Sequence, residues 1–245
     1  MNFLVKQLKA LWIFLWAIIA TVVMFLPITL TAFVTPTGNL PFNLCKIWTR
    51  IAIIMAGVRL HVEGTEKVVD GQSYVIISNH QSLYDIPALM NGLGMQFRWI
   101  IKRELMRIPL FGYALYASRN VFIDRLKTKQ SLQNINRALD RLPGGVSVMF
   151  FAEGTRSAGK EIKKFKKGGF FMAVQRGLPI LPITINGSAK VMPDKKSFAF
   201  YPGPIEVIVG DPIDTSDYSD SAINELVEKT RKAIISNFKP QYPDA

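Results

Sequence analysis

The chain has 245 residues, 30 of them Lys or Arg against 18 Asp or Glu, giving a formal charge of +12 with 49% hydrophobic residues and a mean hydropathy of +0.20. A single cysteine excludes an internal disulfide and suits a reducing compartment, and two histidines with one cysteine argue against a zinc site of the usual ligand set, so no metal is expected. Basic and apolar character together point to an anionic bilayer, whereas a nucleic-acid binder has no use for an uncharged N-terminal region and no nucleic-acid motif is present.

No charged residue lies between Ala10 and Cys45, with Lys6 and Lys9 before and Lys46 and Arg50 after. Leu11 to Leu26 is nearly continuous in Leu, Ile, Val, Phe and Trp and extends past Pro27 to Val34, which meets the ~20 residues that a crossing needs. The run is longer than a signal-peptide core and no small-x-small site ends it, so a cleaved leader is not expected. Pro36, Gly38 and Pro41 mark a turn. Phe42 to Val58 is again apolar but carries Lys46 and Arg50 four apart, the pattern of an amphipathic interfacial helix. With basic residues at both outer ends, a membrane-embedded helical hairpin with both ends cytoplasmic fits best. Cys45 in this region reads as a small buried hydrophobe.

The expected organisation is thus residues 1–58 as membrane-associated helices and 59–245 as one globular domain. Strand-like runs fall at Tyr74 to Ile77, Trp99 to Ile101, Val121 to Ile123, Val146 to Phe151, Ile180 to Ile185 and Ile205 to Val209. Between them, Leu132, Ile135, Leu139 and Leu142 form one helical stripe, and Ile223, Leu226, Val227, Ala233 and Ile234 another. Such alternation predicts an α/β fold with a mostly parallel central sheet flanked by helices. His61, in Leu60-His61-Val62-Glu63, reads as a strand residue without a chemical task. The tail after Phe238, with Pro240 and Pro243, reads as frayed.

Two constellations follow strand-like runs. The first is Asn79-His80-Gln81-Ser82-Leu83-Tyr84-Asp85, after Tyr74 to Ile77, with Asp85-Ile86-Pro87 reading as a helix start. A five-residue offset would separate His80 and Asp85 on a continuous helix, but a strand-to-helix turn can bring them together. A carboxylate on one ring nitrogen would fix the tautomer of a general base. Alone, the pattern equally describes a helix cap beside an idle turn histidine. No G-x-S-x-G elbow is present and Cys45 reads as buried, so the substrate is expected to supply the nucleophile. The second constellation is Phe150-Phe151-Ala152-Glu153-Gly154-Thr155-Arg156-Ser157, after Val146 to Phe151. Gly154 permits a tight turn, Arg156 offers a fork for phosphate oxygens, and Glu153 is placed to brace that guanidinium. Alone, it equally describes a surface turn. Both would lie at the carboxyl ends of strands, where open α/β sheets hold ligands. A basic run, Lys160, Lys163, Lys164, Lys166 and Lys167, suits anionic lipid heads, coenzyme A phosphates or an acidic carrier protein, and equally a solvated loop.

Asn79-His80 with Asp85, followed by Phe151-Ala152-Glu153-Gly154-Thr155-Arg156-Ser157, resembles the glycerolipid acyltransferases, most of all the members that acylate 1-acyl-sn-glycerol-3-phosphate. Ile101-Lys102-Arg103-Glu104-Leu105 with Pro109 and Gly112, running to Phe122-Ile123-Asp124-Arg125, is similar to the family's second motif, and Leu178-Pro179-Ile180-Leu181-Pro182-Ile183 to its fourth. The resemblance covers about residues 60 to 210. It implies catalysis by His80 and Asp85 without a covalent acyl-enzyme, and acceptor binding by Lys102, Glu153, Gly154, Thr155 and Arg156, with Arg125 a further candidate. It implies a lysophospholipid acceptor, acyl-CoA or acyl carrier protein as co-substrate, no cofactor, and a cell-membrane location with the site on the cytoplasmic side. The alternatives within reach are glycerol-3-phosphate or another lysophospholipid as acceptor, a lipid hydrolase, and a non-catalytic phospholipid-binding protein.

Overall fold

The computed structural model describes residues 3–35, 37–124, 135–193 and 200–240; Leu132 and Arg125 lie outside them. The apolar N-terminal run forms one long helix, α1 (Phe3–Val34), which carries Pro27 inside it. Its Leu11–Val34 stretch is long and apolar enough to cross a membrane, and Ile28 is the one residue of that stretch that is buried. Gly38, at φ 76°, makes the turn into α2 (Asn39–Met55), and a Cβ there would strike the side chain of Arg119. The two helices pack against each other, and α2 packs in turn on α3 (Asp85–Gly92).

Seven strands form one sheet, β1 (Val58–Glu63), β2 (Val75–Ser78), β3 (Phe97–Lys102), β4 (Val121–Ile123), β5 (Ser147–Phe151), β6 (Ile180–Asn186) and β7 (Gly203–Val209). Their order is β1-β7-β6-β2-β5-β3-β4. From β6 to β4 all neighbours run parallel. β7 is antiparallel to β6, and β1 follows β7 in parallel. The fold is α/β with a mostly parallel sheet, and His61 lies on its β1 edge, bonded to Glu63 at 3.0 Å.

Strand alternation splits the core into two layers. Val75 and Ile77 face α5 (Gly168–Arg176) and α7 (Ile223–Ser236), packing with Phe170, Met172, Leu226 and Ile234. Ile135, Leu139 and Leu142 join that layer. Ile76 faces the other way, among Ala88, Leu89, Met149 and Leu181, where Phe42 and Ile53 of α2 complete the layer. A single helical turn, α6 (Ser188–Val191), follows β6. Pro182 sits inside β6, within the expected run from Ile180 to Ile185. Its carbonyl accepts from the Gly210 amide at 2.8 Å as β7 peels away.

Strand β3 begins two residues before the expected Trp99, taking in a charged residue that is fully buried. Arg98 donates to Gln96 Oε1 (3.1 Å), Phe97 O (3.0 Å), Thr37 O (3.0 Å) and Asn39 Oδ1 (2.6 Å). Its guanidinium stands 5.3 Å over the Phe42 ring. Burial lowers its pKa to about 10, which leaves it charged at neutral pH. Two of its four acceptors lie at the α1–α2 turn, so this side chain fastens the helical pair to the sheet. Replacing it with Met would leave buried acceptors unpaired at about 1–3 kcal/mol each. Arg98→Met is expected to lose at least about 3 kcal/mol, lowering the melting temperature of detergent-purified protein by about 6 °C or more. Arg98→Lys, which cannot reach four acceptors, should melt between the two.

Candidate active site

β2 and β5 are parallel neighbours in a register that pairs Ser78 with Phe151. Each strand ends where its constellation begins, so two loops far apart in sequence leave the sheet side by side. The ladder continues for one bond, Ala152 N to Ser78 O at 3.3 Å. Side chains then take over. Glu153 Oε1 accepts the His80 amide at 2.7 Å and Oε2 the Lys163 amide at 3.0 Å. Ser157 donates to the His80 carbonyl from its amide at 2.7 Å and its hydroxyl at 3.1 Å. On the other side of β2, Asn79 bonds both ways to the main chain of Ile185, Oδ1 accepting at 2.8 Å and Nδ2 donating at 2.9 Å.

His80 Nδ1 lies 2.7 Å from Asp85 Oδ2. An ionised carboxylate only accepts, so Nδ1 carries the hydrogen and Nε2 keeps its lone pair. The same Oδ2 accepts the amides of Gln81 at 2.6 Å and Ser82 at 2.9 Å. Asp85 is therefore not a forward helix cap. It is the first residue of α3 and bonds backwards into the turn, which folds the five-residue offset into contact. Its side chain is 0% exposed and that of His80 15%. Among the described residues Oδ1 has no hydrogen-bond partner. The imidazole stacks on Phe151 at 3.8 Å and 10°, and Phe151 on Trp99 at 5.4 Å and 29°.

The stacked ring faces an apolar cavity of about 260 Å³ between the sheet rim and the helical pair. Its walls include Leu83, Trp99, Phe111 and Phe151, with Met24, Ile28 and Cys45 from α1 and α2, and Lys102 among its few polar groups. Lys102, the last residue of β3, stands 2.9 Å from Glu104, both about half exposed, an ion pair worth little and easily exchanged for another anion.

The expected brace between Glu153 and Arg156 is not what forms. Glu153 is 3% exposed and both of its oxygens are engaged by backbone amides, so it holds the loops together instead of the guanidinium. Burial pushes its pKa up, while the two amides favour the charged form. Gly154 has φ 70°, a conformation glycine takes without strain. Thr155 is exposed and Arg156 half-buried, with its carbonyl accepting from Lys163 Nζ at 3.2 Å. The alternation in the basic segment is informative: Ile162 and Phe165 are buried, whereas Lys160, Lys164, Lys166 and Lys167 are exposed. Sequence reasoning missed the roles of Asn79 and Ser157 and the Phe151 stack. All three lie inside the quoted motifs, but their partners are far away in the chain.

Residues 59–186 match the model of the Acyltransferase family. The 1-acyl-sn-glycerol-3-phosphate acyltransferase of Pseudomonas aeruginosa is 35% identical over 82% of this chain and 80% of its own length. The chain belongs to the acyltransferase family. The chloroplastic 1-acyl-sn-glycerol-3-phosphate acyltransferase LPAT1 of Arabidopsis thaliana is 33% identical over 78% of this chain, which spans about half (53%) of that longer acyltransferase. The crystal structure of the 1-acyl-sn-glycerophosphate acyltransferase PlsC of Thermotoga maritima shares the fold of this acyltransferase, with a TM-score of 0.80 over 100% of both chains at 23% identity.

The geometry yields a test of the Asp85 contact. In Asp85→Asn the amide oxygen can replace Oδ2 only by placing an NH2 group at the position of Oδ1, which is buried and has no hydrogen-bond partner among the described residues. The variant is expected to fold with a reduced melting temperature and to lose at least about 10²-fold in kcat. Wild-type turnover at saturating substrate would show that the ring needs no such partner.

Proposed function

We propose that this acyltransferase transfers a fatty acyl group from an acyl thioester to the free sn-2 hydroxyl of 1-acyl-sn-glycerol-3-phosphate, giving phosphatidic acid for phospholipid synthesis. The observation that carries the reading is the 2.7 Å contact from His80 Nδ1 to Asp85, which leaves Nε2 as the base at an apolar cavity. The relatives' names supply the acceptor and the type of transfer.

In this mechanism Nε2 takes the hydroxyl proton as the oxygen attacks the thioester carbonyl. The resulting imidazolium is stabilised by Asp85. The C–O bond forms, the C–S bond breaks, and the thiolate leaves as a thiol with the proton from Nε2. No side chain need become acylated. The nearby serine hydroxyls each donate to a main-chain carbonyl: Ser78 to Asn79, Ser82 to Met192, and Ser157 to His80. Cys45 Sγ lies 3.4 Å from Ser118 Oγ. Positioned base catalysis contributes about 10²- to 10⁴-fold, and holding the two substrates together adds more.

The acyl chain of the donor lies in the cavity, whose lining is almost wholly apolar. Arg156, with Lys102 as helper, grips the acceptor phosphate, and Gly154 and Thr155 let the loop approach it. Glu153 acts on this site by position, not by touching substrate. The donor is acyl-CoA or acyl carrier protein, and the exposed lysines of the 160–167 segment face its anionic part. With α1 in the bilayer, residues 1–58 form the membrane-associated part and 59–245 the catalytic domain, on the cytoplasmic side of the cell membrane.

Purified protein given lysophosphatidate and labelled acyl-CoA should form labelled phosphatidate; free fatty acid alone would mean hydrolysis, and binding without turnover a lipid carrier. Repeating the assay with acyl carrier protein as donor tells which thioester is used. In the same assay His80→Ala should lose at least about 10²-fold in kcat with acceptor binding retained. Arg156→Ala should raise the acceptor KM far more than the donor KM, and equal effects on both would make this arginine structural.

A further inference from the structure

The rim beside the cavity has a surface that acyl transfer does not account for. Every residue from Lys102 to Leu110 is exposed, although this stretch sits between a core strand and α4 (Phe111–Ala117). Six exposed side chains are large and apolar or aromatic: Leu105, Met106, Ile108, Leu110, Tyr113 and Tyr116. The exposed arginines Arg103 and Arg107 are set among them, and the only acidic group, Glu104, is paired with Lys102. An apolar patch of this kind, rimmed by cations, marks a contact with something else.

The backbone holds these side chains outward. Leu110 has φ 60°, unusual for a residue with a side chain. Gly112 is buried against the preceding turn, and a Cβ there would run into the main chain of Leu105 and Met106. The apolar tips are therefore displayed on a braced loop. The loop also adjoins α1: Phe25 meets Tyr113 edge-on at 6.0 Å, and Ile28 packs with Ala114 and Ala117. Its exposed face is thus continuous with the exposed apolar flank of α1.

We propose that the segment from Arg103 to Tyr116 is a second membrane-contact surface, which seats the mouth of the cavity in the head-group region of an anionic bilayer. The apolar tips enter the acyl boundary, the two tyrosines lie at the interface, and Arg103 and Arg107 meet lipid phosphates. Leu105 and Phe111 line the cavity as well, so the same loop borders the route from bilayer to His80. An acidic protein partner would find two arginines here but a surface dominated by greasy tips, and it would leave the continuity with α1 unused. The inference rests on α1 being bilayer-embedded and not on the reaction proposed for His80.

The test uses the full chain with Cys45→Ser and a single reporter cysteine, Ile108→Cys, labelled with a polarity-sensitive nitrobenzoxadiazole and bound to phosphatidylglycerol vesicles. A matched protein carries the label at Val69→Cys, an exposed residue before β2 and so at the opposite end of that strand from His80. The label at 108 should shift to the blue and be quenched by doxyl groups on the lipid chains, and the label at 69 should do neither. Arg103→Glu with Arg107→Glu should abolish the quenching at 108 while the protein still floats with vesicles through α1. Water-like emission at 108 on protein that floats would overturn the proposal and leave α1 as the membrane contact. A shift at 108 that appears only on adding acidic acyl carrier protein would overturn it in favour of protein docking. Failure to float would remove both this surface and the bilayer reading of α1, and would leave turnover on dispersed substrate as the separate measure of the His80 chemistry.

Discussion

The site depends on the in-register parallel pairing of β2 with β5. Because Ser78 stands opposite Phe151, the ladder runs out at the same level on both strands, and the next residues must find other partners for buried amides and carbonyls. The His80 main chain is satisfied on both sides by the second loop, its N–H by Glu153 and its carbonyl by Ser157. Asn79 makes the equivalent tie to β6 through Ile185. His80 therefore sits on a backbone with little freedom left. Asp85 then fixes the ring, and Phe151, the last residue of β5, supports its face.

The helical pair is part of this construction. Arg98 joins β3 to the α1–α2 turn, and α2 supplies Phe42 and Ile53 to the same core layer that contains α3. Met24, Ile28 and Cys45 become walls of the cavity into which the imidazole faces. A helix long and apolar enough to cross a membrane is here also a wall of the cavity, so loosening it would alter the shape of the pocket. A fully buried arginine without a carboxylate is tolerated because four acceptors and an aromatic face offset most of the hydration it gave up, with only Nε lacking a partner among the described residues.

Much of this was legible in local sequence. Four of the six strand-like runs fall wholly within strands, and Tyr74 to Ile77 and Val146 to Phe151 each begin one residue before theirs; the histidine and carboxylate are recognisable as a pair because the turn that joins them is encoded within seven residues. What escaped was non-local. The strand-like run from Trp99 to Ile101 leaves out the charge at Arg98, whose acceptors at 37 and 39 become visible only once α1 and α2 are packed. Glu153 was paired with Arg156 because the two are neighbours in the chain, whereas its bonds go to residues 80 and 163. The helix-cap alternative for Asp85 rests on what helix starts commonly carry, whereas its bonds run backwards because the preceding turn presents two amides and an imidazole to the same oxygen.

The proposed transfer has to outrun hydrolysis, since water is the more abundant nucleophile and would use the same base. The geometry bears on that competition. One face of the imidazole is covered by Phe151 at 3.8 Å, Trp99 stacks behind it, and the chamber beyond is lined by aliphatic and aromatic groups with few polar atoms to order water. A lipid hydroxyl can be delivered into such a chamber by its own chain and held by a phosphate grip at the rim, while a water molecule gains nothing from either. Selection for transfer then arises from the apolar wall and the rim cations together. The base itself is indifferent to which oxygen it deprotonates, and the partition between ester and free acid is set by what the walls admit.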